Sequence, residues 1–450
     1  MKKICVVGLG YIGLPTASIF ASSGHQVLGV DINPAIVEII NRGDIHIEEP
    51  GLKTVVQAAI NSGNLRASLT PSEADVFILA VPTPITTDKR ADLTYVEAAT
   101  HTILPYLRSG SLVILESTSP PRTTVDVLVP ILEKSGLLIG EELFVAHSPE
   151  RVLPGRILKE LIENSRVIGG INLASAERAK ELYESFVEGE IFLTDATTAE
   201  MVKLMENTYR DVNIALANEL AILSGKLGIN AWDVIRMANH HPRVHLHAPG
   251  PGVGGHCISV DPWFLVEKHP EDAQLIGLAR RTNDGMPHRV AALVKERLVG
   301  IHRPKVTILG VTYKGNVDDT RESPALEIIA ELKSAGVEVS IFDPHVKHFE
   351  HELSTLEDAL KNSDCVLLLS DHNEFKYLHP RELVKLLRRP LLIDTRKLLN
   401  FDLWSEAGFE TILLGQIPLP EALLEQRVPA AVDSRKLPSG AMLSHVATEV

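Results

Sequence analysis

Short apolar runs alternate with segments of helical periodicity over the first 120 residues. Runs such as KICVV, VFILAV and SLVILE contain few polar positions, which is typical of strands in a parallel sheet that is covered on both faces. The segments between them, such as LPTASIFASSG, carry apolar and small residues at helical spacing. This alternation predicts an α/β domain with a doubly wound sheet.

The same order of patterns returns near residue 302 and continues to about residue 425. KVTILGVTYKG resembles KICVVGLGYIG, GVEVSIFDPH resembles GHQVLGVDIN, and NSDCVLLLSDH resembles EADVFILAVPTP. Both series place a glycine before the second strand and an aspartate at its end. We therefore predict an α/β protein with two Rossmann-like doubly wound domains, the second smaller than the first.

The sequence between the two series is helical in pattern. MVKLMENTYRDVNIALANELAILSGKLG runs without proline, and its apolar residues recur on more than one face, which predicts a long helix buried on several sides. Thr197, with Glu200 three positions later, predicts a capping box at the start of this helix. Such a helix suits an interdomain spine and a homodimer contact. The predicted divisions are 1–195, 196–301, 302–425 and a mobile tail at 426–450.

Charge and cysteine content narrow the class of protein. The formal net charge is -14, which argues against a nucleic-acid binder because such proteins carry a basic surface. Three widely spaced cysteines form no disulfide framework, so we expect a cytoplasmic protein. Residues 4–30 carry no charged side chain apart from one histidine, and could suggest a signal peptide or a membrane helix. Their glycines fit a strand, a turn and a helix instead, so we expect no membrane partner.

The clearest ligand motif is the run Gly8-Leu9-Gly10-Tyr11-Ile12-Gly13. It follows a predicted strand, precedes a predicted helix and lies upstream of Asp31, which ends the second strand. This spacing predicts a dinucleotide site, with the pyrophosphate at the helix N-terminus and the aspartate on the ribose diol. The carboxylate would repel a 2′-phosphate, so we expect NAD rather than NADP. A glycine turn without a ligand is the alternative.

Cys257 lies in a loop that is rich in glycine, GPGVGGHC, and precedes Asp261-Pro262. Because Asp261-Pro262 is typical of a helix start, with the aspartate as cap, we expect a lowered thiol pKa and a nucleophilic thiolate. A buried filler role suits the other two cysteines, which lie in apolar runs, but suits Cys257 poorly. His256 is its neighbour in sequence and is expected to point away from it.

Lys203 and Asn207 are four residues apart on the long helix and share one face. Together they could stabilise an oxyanion beside the thiol, although such a pair is often an ordinary solvated face. Four histidines near residue 243 could suggest a metal site, but no other ligand residue is spaced with them and Pro242 interrupts any helix. We therefore expect no metal.

Seven ordered motifs make the chain resemble the UDP-glucose/GDP-mannose dehydrogenase family: GLGYIGLP, VPTP, EST, SPER, AEMVKLMEN, GVGGHC and YKGNVDDTRESPA. They span residues 1 to about 420. The resemblance implies NAD as cofactor, a UDP-sugar as substrate, and two successive oxidations of a primary alcohol to a carboxylate. It also implies a helical middle that forms the dimer and a second α/β domain that helps to hold UDP.

The resemblance also implies roles for individual residues. Cys257 would form the thiohemiacetal and thioester, Lys203 and Asn207 would steady the oxyanion, and Glu150 would assist hydrolysis. Thr118 and Asp261 would position water. The implied cofactor contacts are Gly8, Gly10, Tyr11, Ile12, Gly13, Asp31, Thr83, Thr118 and Arg321. The implied substrate contacts are Arg151, Lys203, Asn207, Arg243, Gly254, Tyr313 and Lys314, with Arg243 reaching across the dimer.

The cysteine loop indicates which sugar the resemblance favours. GGHCISVDPWF, with a histidine before Pro242-Arg243-Val244, is closer to the N-acetylhexosamine branch of the family. It implies UDP-N-acetylmannosamine, whose oxidised product feeds bacterial surface polysaccharides, ahead of UDP-N-acetylglucosamine or UDP-glucose. A two-electron hydroxyacid dehydrogenase and a non-catalytic nucleotide-binding protein are the alternatives from other classes. Neither requires both Cys257 and a second α/β domain.

Overall fold

The first sheet contains eight strands, twice the number that the apolar runs predict. The computed structural model describes residues 1–417 and 419. The sheet order is β3-β2-β1-β4-β5-β6-β7-β8, and all neighbours are parallel except β6 and β7. The strands are β1 (Lys3–Val7), β2 (Gln26–Val30), β3 (Leu65–Ser68), β4 (Val76–Leu79), β5 (Leu112–Leu115), β6 (Phe144–His147), β7 (Arg166–Gly170) and β8 (Ile191–Asp195).

Helices cover both faces of this sheet, which explains the apolar strands. Ile4 and Val6 of β1 pack into the core on one face, whereas Cys5 and Val7 pack into the core on the other. A strand that is buried on both faces does not alternate between apolar and polar residues. The helices are α1 (Gly13–Ser22), α2 (Pro34–Asn41), α3 (Leu52–Asn61), α4 (Thr94–Ile103), α5 (Val129–Leu132), α6 (Ile157–Glu163) and α7 (Leu173–Tyr183).

The middle of the chain is helical and is dominated by one helix of 32 residues. Its helices are α8 (Ala196–Leu227), α9 (Ala231–Ala238), α10 (Asp261–Lys268) and α11 (Gln274–Arg297). The predicted capping box is wrong by two residues: Asp195 is the cap, and its carboxylate accepts the N–H of Thr198 at 2.9 Å. Glu200 instead accepts hydrogen bonds from the loop that follows β5, so it is not part of a capping box.

The helix α8 is not buried on all its apolar sides within one chain. Its exposed apolar residues fall within an arc of about 80°, given about 100° per residue. The face that carries Lys203 and Asn207 lies on the opposite side of the helix. The exposed stripe consists of Met201, Met205, Tyr209, Leu216, Leu223 and Leu227, each at least 38% exposed.

The second sheet has five parallel strands in the order β10-β9-β11-β12-β13. The strands are β9 (Lys305–Leu309), β10 (Glu338–Phe342), β11 (Cys365–Leu368), β12 (Leu391–Asp394) and β13 (Glu410–Leu413). The helices are α12 (Pro324–Ser334), α13 (Leu356–Leu360), α14 (Pro380–Leu383) and α15 (Phe401–Glu406). The predicted fold class is therefore confirmed. The predicted tail at 426–450 lies outside the described residues.

The repeat in the sequence is also a repeat of hydrogen bonds. Asp31 accepts the N–H of Leu9 at 3.0 Å, and Asp343, at the end of β10, accepts the N–H of Val311 at 2.8 Å. The two domains then diverge, because α1 begins directly at Gly13 whereas α12 begins only at Pro324. The second domain therefore lacks a helix N-terminus directly behind its glycine turn. Among the described helices, none is long and apolar enough to cross a membrane.

Candidate active site

The glycine loop between β1 and α1 uses its three glycines differently. Gly8 has a φ of +93°, and a Cβ there would lie 2.6 Å from the carbonyl oxygen of Ala80. A Cβ on Gly13 would lie 1.8 Å from the carbonyl oxygen of Gly8, whereas a Cβ on Gly10 would meet nothing within 4 Å. The fold itself requires the first and third glycines. The second leaves open space beside the N-terminus of α1, where a pyrophosphate can approach the backbone.

Asp31 lies beside this loop, at the carboxyl end of β2. Its carboxylate accepts the N–H groups of Leu9 and Asn33, at 3.0 and 2.9 Å, and stays partly exposed. Tyr11 and Ile12 are also partly exposed, on the outer turn of the loop. The geometry fits a carboxylate that both braces the glycine loop and faces a ribose.

The loops after β4 and β5 meet at the same edge of the sheet. The hydroxyl of Thr83 donates to the carbonyl oxygen of Thr118 at 2.6 Å. Glu200 of α8 accepts the N–H groups of Arg122 and Thr124, and also the Thr124 hydroxyl at 2.7 Å. Burial raises the pKa of Glu200 to about 7 although these hydrogen bonds oppose it. The long helix thus holds the segment that follows Thr118.

Cys257 lies where the cysteine loop approaches α8. The nearby charge of Lys203 lowers the pKa of its thiol, and that of Asp261 raises it. Its Sγ atom is 3.8 Å from Nδ1 of His256, so the expectation that these two side chains point apart is wrong. Burial lowers the pKa of His256, and the charges of Arg321 and Lys203 lower it further.

Asp261 connects the cysteine loop to α8 and not to its own helix. The amide of Asn207 donates to Oδ2 of Asp261 at 2.6 Å. Asp261 is the first residue of α10, and the capping position, Val260, makes no side-chain bond, so the predicted capping role of Asp261 is wrong. Burial raises the pKa of Asp261 to about 6, whereas Lys203 and Asn207 act to lower it.

The thiol of Cys257 is not activated by a helix. Burial raises its pKa to about 11, and Asp261 adds to that rise while Lys203 and Arg321 oppose it. The N-terminus of α10 lies four residues further on, and the effect of a helix dipole falls off within the first turn. The expected lowering of the thiol pKa is therefore wrong here, and the cations are what favour the thiolate.

Arg321 joins the glycine loop, the cysteine loop and the second α/β domain. Its guanidinium forms two hydrogen bonds to Asp319, at 2.9 and 2.7 Å, and lies 5.0 Å from the ring centroid of Tyr11. The carbonyl oxygen of Arg321 accepts the N–H of Gly255 at 3.1 Å. A cation over an aromatic face is attractive, so Arg321 brings the two loops together, the predicted cofactor loop through its side chain and the cysteine loop through its main chain.

The cysteine loop closes against the second α/β domain through its glycines. A Cβ on Gly254 would lie 2.4 Å from the carbonyl oxygen of Glu322 and 2.7 Å from Cβ of Tyr313. Gly255 has a φ of +83°, and its Cβ would lie 3.0 Å from the Tyr313 ring. Burial raises the pKa of Tyr313 to about 12. Larger side chains would force the two segments apart.

The SPER segment reaches the same region from the end of β6. Glu150 is buried and accepts a hydrogen bond from Arg166 at 2.6 Å. Arg151 pairs with Glu206, which lies on α8 three residues after Lys203. The segment is therefore tied to α8 within one turn of Lys203.

Family models match the chain in three consecutive segments. Residues 2–187 match the NAD binding domain of the UDP-glucose/GDP-mannose dehydrogenase family, residues 197–285 its central domain, and residues 307–401 its UDP binding domain. The chain belongs to the UDP-glucose/GDP-mannose dehydrogenase family. The first sheet of this dehydrogenase therefore binds NAD, and the second sheet belongs to the UDP-binding domain.

Individual relatives of this dehydrogenase are similar over almost its whole described length. The UDP-N-acetyl-D-mannosamine dehydrogenase of Methanococcus vannielii is 54% identical over 424 residues, which are 92% of this chain and 97% of the relative. The NDP-N-acetyl-D-galactosaminuronic acid dehydrogenase of Ralstonia solanacearum is 48% identical over 408 residues, 88% and 96% of the two chains. The solved UDP-D-ManNAc dehydrogenase of Pyrococcus horikoshii is 44% identical, with a TM-score of 0.87 over 92% of this chain and all of that one.

Two residues implied by the family resemblance are not packed into this dehydrogenase's site. Arg243 is exposed on the loop after α9, where its N–H donates to Nδ1 of His241 at 3.3 Å. Lys314 is also exposed, and its carbonyl oxygen accepts the hydroxyl of Thr312 at 2.7 Å. Within one described chain, both side chains face outward.

Arg396, which none of the sequence motifs singled out, lies between the cysteine loop and the UDP-binding domain. Its guanidinium donates to the carbonyl oxygens of Leu369 and Tyr313, and it would lie 2.9 Å from a Cβ on Gly250. Burial lowers its pKa. The available signal was a cation directly after a strand of the second repeat, since parallel strands place ligands at their carboxyl ends.

A histidine group in the UDP-binding domain was also not anticipated. His345, His372 and Glu374 lie close enough together to hold a metal ion. However, Nδ1 of His372 accepts the N–H of Asn316 at 2.9 Å, and its Nε2 faces Asp343 at 3.0 Å. Both ring nitrogens of this buried histidine are used within the protein, so the geometry favours a brace for the segment around Tyr313 over a metal site.

Proposed function

We propose that this dehydrogenase oxidises the C6 primary alcohol of UDP-N-acetylmannosamine to the carboxylate of UDP-N-acetylmannosaminuronate, with two NAD per sugar. The observation that carries the proposal is the link between Cys257 and α8, where the loops of both α/β domains converge. The carbonyl oxygen of Cys257 accepts the N–H of Asp261 at 2.8 Å, and the carboxylate of Asp261 accepts the amide of Asn207, one turn after Lys203, at 2.6 Å. The names of the similar proteins from Methanococcus vannielii and Pyrococcus horikoshii support the choice of sugar.

NAD supplies the hydride acceptor when it is bound, and the chain supplies its site. Gly8 and Gly13 shape the loop, Gly10 leaves the room for the pyrophosphate, and Asp31 takes the ribose diol. Tyr11 and Ile12 form the outer turn of this loop, and Arg321 lies against the Tyr11 ring. Thr83 and Thr118, joined by a hydrogen bond, line the edge nearer to the cysteine.

The thiol accounts for the second oxidation. An aldehyde loses hydride readily only after a nucleophile has added to it. The Cys257 thiol gives its proton to water, its Sγ bonds to the aldehyde carbon, and the carbonyl π bond opens so that the oxygen becomes an oxyanion. Lys203 and Asn207 stabilise that oxyanion. Loss of hydride leaves a thioester, and water then attacks its carbonyl carbon and releases the Cys257 thiolate, which regains a proton. We assign the positioning of that water to Thr118 and Asp261, and assistance in hydrolysis to Glu150.

The UDP-sugar lies between α8 and the second α/β domain in this proposal. Arg151, Gly254 and Tyr313 line the space from one chain, and Lys314 lies at its outer edge. Arg243 is exposed within its own chain, which fits a side chain that serves the site of a second copy. We also propose domain boundaries after residues 195 and 301, and a cytoplasmic location.

Stoichiometry tests this proposal. Purified protein is mixed with excess NAD and limiting UDP-N-acetylmannosamine, and NADH is counted per sugar, with UDP-N-acetylglucosamine, the galactosamine epimer and UDP-glucose in parallel. We expect two NADH with the mannosamine sugar from the wild type and at most one from Cys257→Ala, because the thiol serves only the second oxidation. One NADH per sugar from the wild type would contradict the thioester intermediate. A preference for another sugar would show that the assigned substrate is wrong.

We also propose a homodimer that forms through the exposed stripe of α8. A single chain leaves six large apolar side chains on one face of this helix, whereas monomeric proteins rarely expose such continuous patches. A second copy of the helix would cover them, and the opposite face would stay free for Lys203 and Asn207. Sedimentation velocity tests this: Tyr209→Glu is expected to give monomers, and Tyr377→Glu, at another exposed tyrosine, is expected to leave a dimer.

A further inference from the structure

A chain of buried hydrogen bonds ties the start of the cysteine loop to the helical core. The N–H of Gly250 donates to Oδ1 of Asn218 at 2.9 Å, and Nδ2 of Asn218 donates to Oδ1 of Asn283 at 2.9 Å. Nδ2 of Asn283 donates in turn to Oδ1 of Asp211 at 2.7 Å and to its carbonyl oxygen at 3.0 Å. The side chains of Asn218, Asn283 and Asp211 belong to residues with no exposed surface.

The chain has only one possible direction. A carboxylate can only accept, and the buried Arg280 pairs with Asp211, so Asp211 is the terminal acceptor. Each asparagine therefore turns its amide nitrogen toward Asp211 and its oxygen toward Gly250. Buried polar networks that are connected in this way are rigid, since any break leaves unpaired groups in a low dielectric.

One face of α8 therefore holds both ends of the segment that carries the thiol. Asn218 binds Gly250 at the start of the segment, and Asn207 binds Asp261 at its end. With about 100° per residue, both asparagines and Lys203 lie within the same 60° arc. Asn207 and Asn218 are eleven positions apart, which corresponds to about 16 Å along the helix, so the two attachments of the segment are spaced along α8 and Cys257 lies between them in the sequence.

We propose that Asn218 and Asn283 are positioning residues for the reaction: they fix the path of the cysteine loop and so hold the thiol of Cys257 next to Lys203. The proposal rests on the nucleophilic role of Cys257 proposed above. Neither asparagine touches the thiol. Their effect passes through the main chain of Gly250, and a misplacement of about 1 Å at a reacting atom can cost about 100-fold in rate.

The test is Asn218→Leu, which keeps a similar volume and leaves the Gly250 N–H without an acceptor. The matched control is Trp232→Phe, which removes another buried hydrogen bond of the central domain, the one from the indole to the carbonyl oxygen of Leu414. Three quantities are measured in the full-length enzyme: kcat, the KM for NAD, and the rate at which iodoacetamide alkylates Cys257 without substrate, counted on its own peptide by mass spectrometry.

We expect opposite changes in two of the three quantities. A loosened loop further exposes the half-buried thiol, so alkylation rises severalfold, while kcat falls by about 10- to 100-fold and the KM for NAD stays the same. The Trp232→Phe control should keep kcat and the alkylation rate of Cys257 close to their wild-type values, even if its melting temperature falls. A kcat that matches the control, or unchanged alkylation, would overturn the proposal.

A milder variant covers the case in which Asn218→Leu does not fold. Asn283→Ser shortens the side chain and takes away the acceptor of Asn218, and the same pair of opposite changes is expected at smaller size. Failure of the proposed function is recognised separately. If wild-type turnover does not depend on Cys257, the nucleophile is wrong, whereas the alkylation ratio still reports whether the loop is held by Asn218.

Discussion

Gly10 and Gly13 should respond differently to the same added methyl group: Gly13→Ala should lose stability, whereas Gly10→Ala should lose affinity for NAD. A Cβ on Gly13 would lie 1.8 Å from a carbonyl oxygen, so the backbone of α1 or of the loop must shift. Forcing a methyl group into packed backbone costs about 1–3 kcal/mol. At about 2–4 °C per kcal/mol for a domain of this size, Gly13→Ala should lower the melting temperature by about 2–12 °C.

Gly10→Ala should leave the fold intact and weaken the binding of NAD. Nothing lies within 4 Å of the added Cβ, and its φ is not in the left-handed region, so the free energy of unfolding should change by no more than about 0.5 kcal/mol. The methyl group would stand where the pyrophosphate approaches the backbone. We expect at least about a tenfold loss of NAD affinity, or about 1.4 kcal/mol.

Thermal unfolding without ligand and calorimetric titration with NAD measure the two effects separately. Gly285→Ala is the matched control, because Gly285 lies within α11, where an added Cβ also meets nothing within 4 Å. This control should gain up to about 1 kcal/mol from helix propensity and bind NAD normally. If Gly10→Ala binds NAD as the wild type does, or unfolds as early as Gly13→Ala, the assignment of the open glycine to the pyrophosphate is refuted.

Three further predictions concern titration and support of the site. Because the thiol pKa of Cys257 is raised to about 11, only about one thiol in a thousand is ionised at pH 8; alkylation should rise about tenfold per pH unit from 8 to 10, and a plateau below pH 9 would contradict this. Lys203→Met should slow alkylation at each pH. Burial raises the pKa of Glu116 to about 7, above its unfolded value, so its contribution to stability is present below about pH 4.5 and is lost as the pH rises through 7. The free energy of unfolding of Glu116→Gln, measured with urea, should therefore fall less across that pH window than that of the wild type. Identical pH profiles for the two proteins would contradict the prediction. His372→Phe removes the acceptor of the Asn316 N–H, so UDP affinity measured by calorimetry should fall about tenfold while NAD affinity stays constant; equal losses of both would show a general defect.

Residues close together in the sequence were predicted well because local geometry decides them. The strand-turn-helix around Gly8 and the position of Asp31 follow from the order of apolar runs and from the glycine spacing. The pattern showed only half of the first sheet, because β3, β6, β7 and β8 lie among loops and helices whose order the apolar runs did not reveal. The predicted capping box at Thr197 was wrong because Glu200 binds a loop that is distant in the sequence. A local sequence pattern cannot show such a contact.

The sequence alone determined the two α/β repeats and the cofactor loop, since each depends on periodicity or on spacing within one short segment, and it predicted Cys257 as the nucleophile from its glycine-rich loop. Only the tertiary structure decided the state of Cys257: burial raises the thiol pKa, and the following helix begins too far away to lower it. It also decided the pairing of Asn207 with Asp261, 54 residues apart, and the chain from Asp211 to Gly250. Desolvation and contacts between distant residues arise from packing, and packing leaves no period in the sequence.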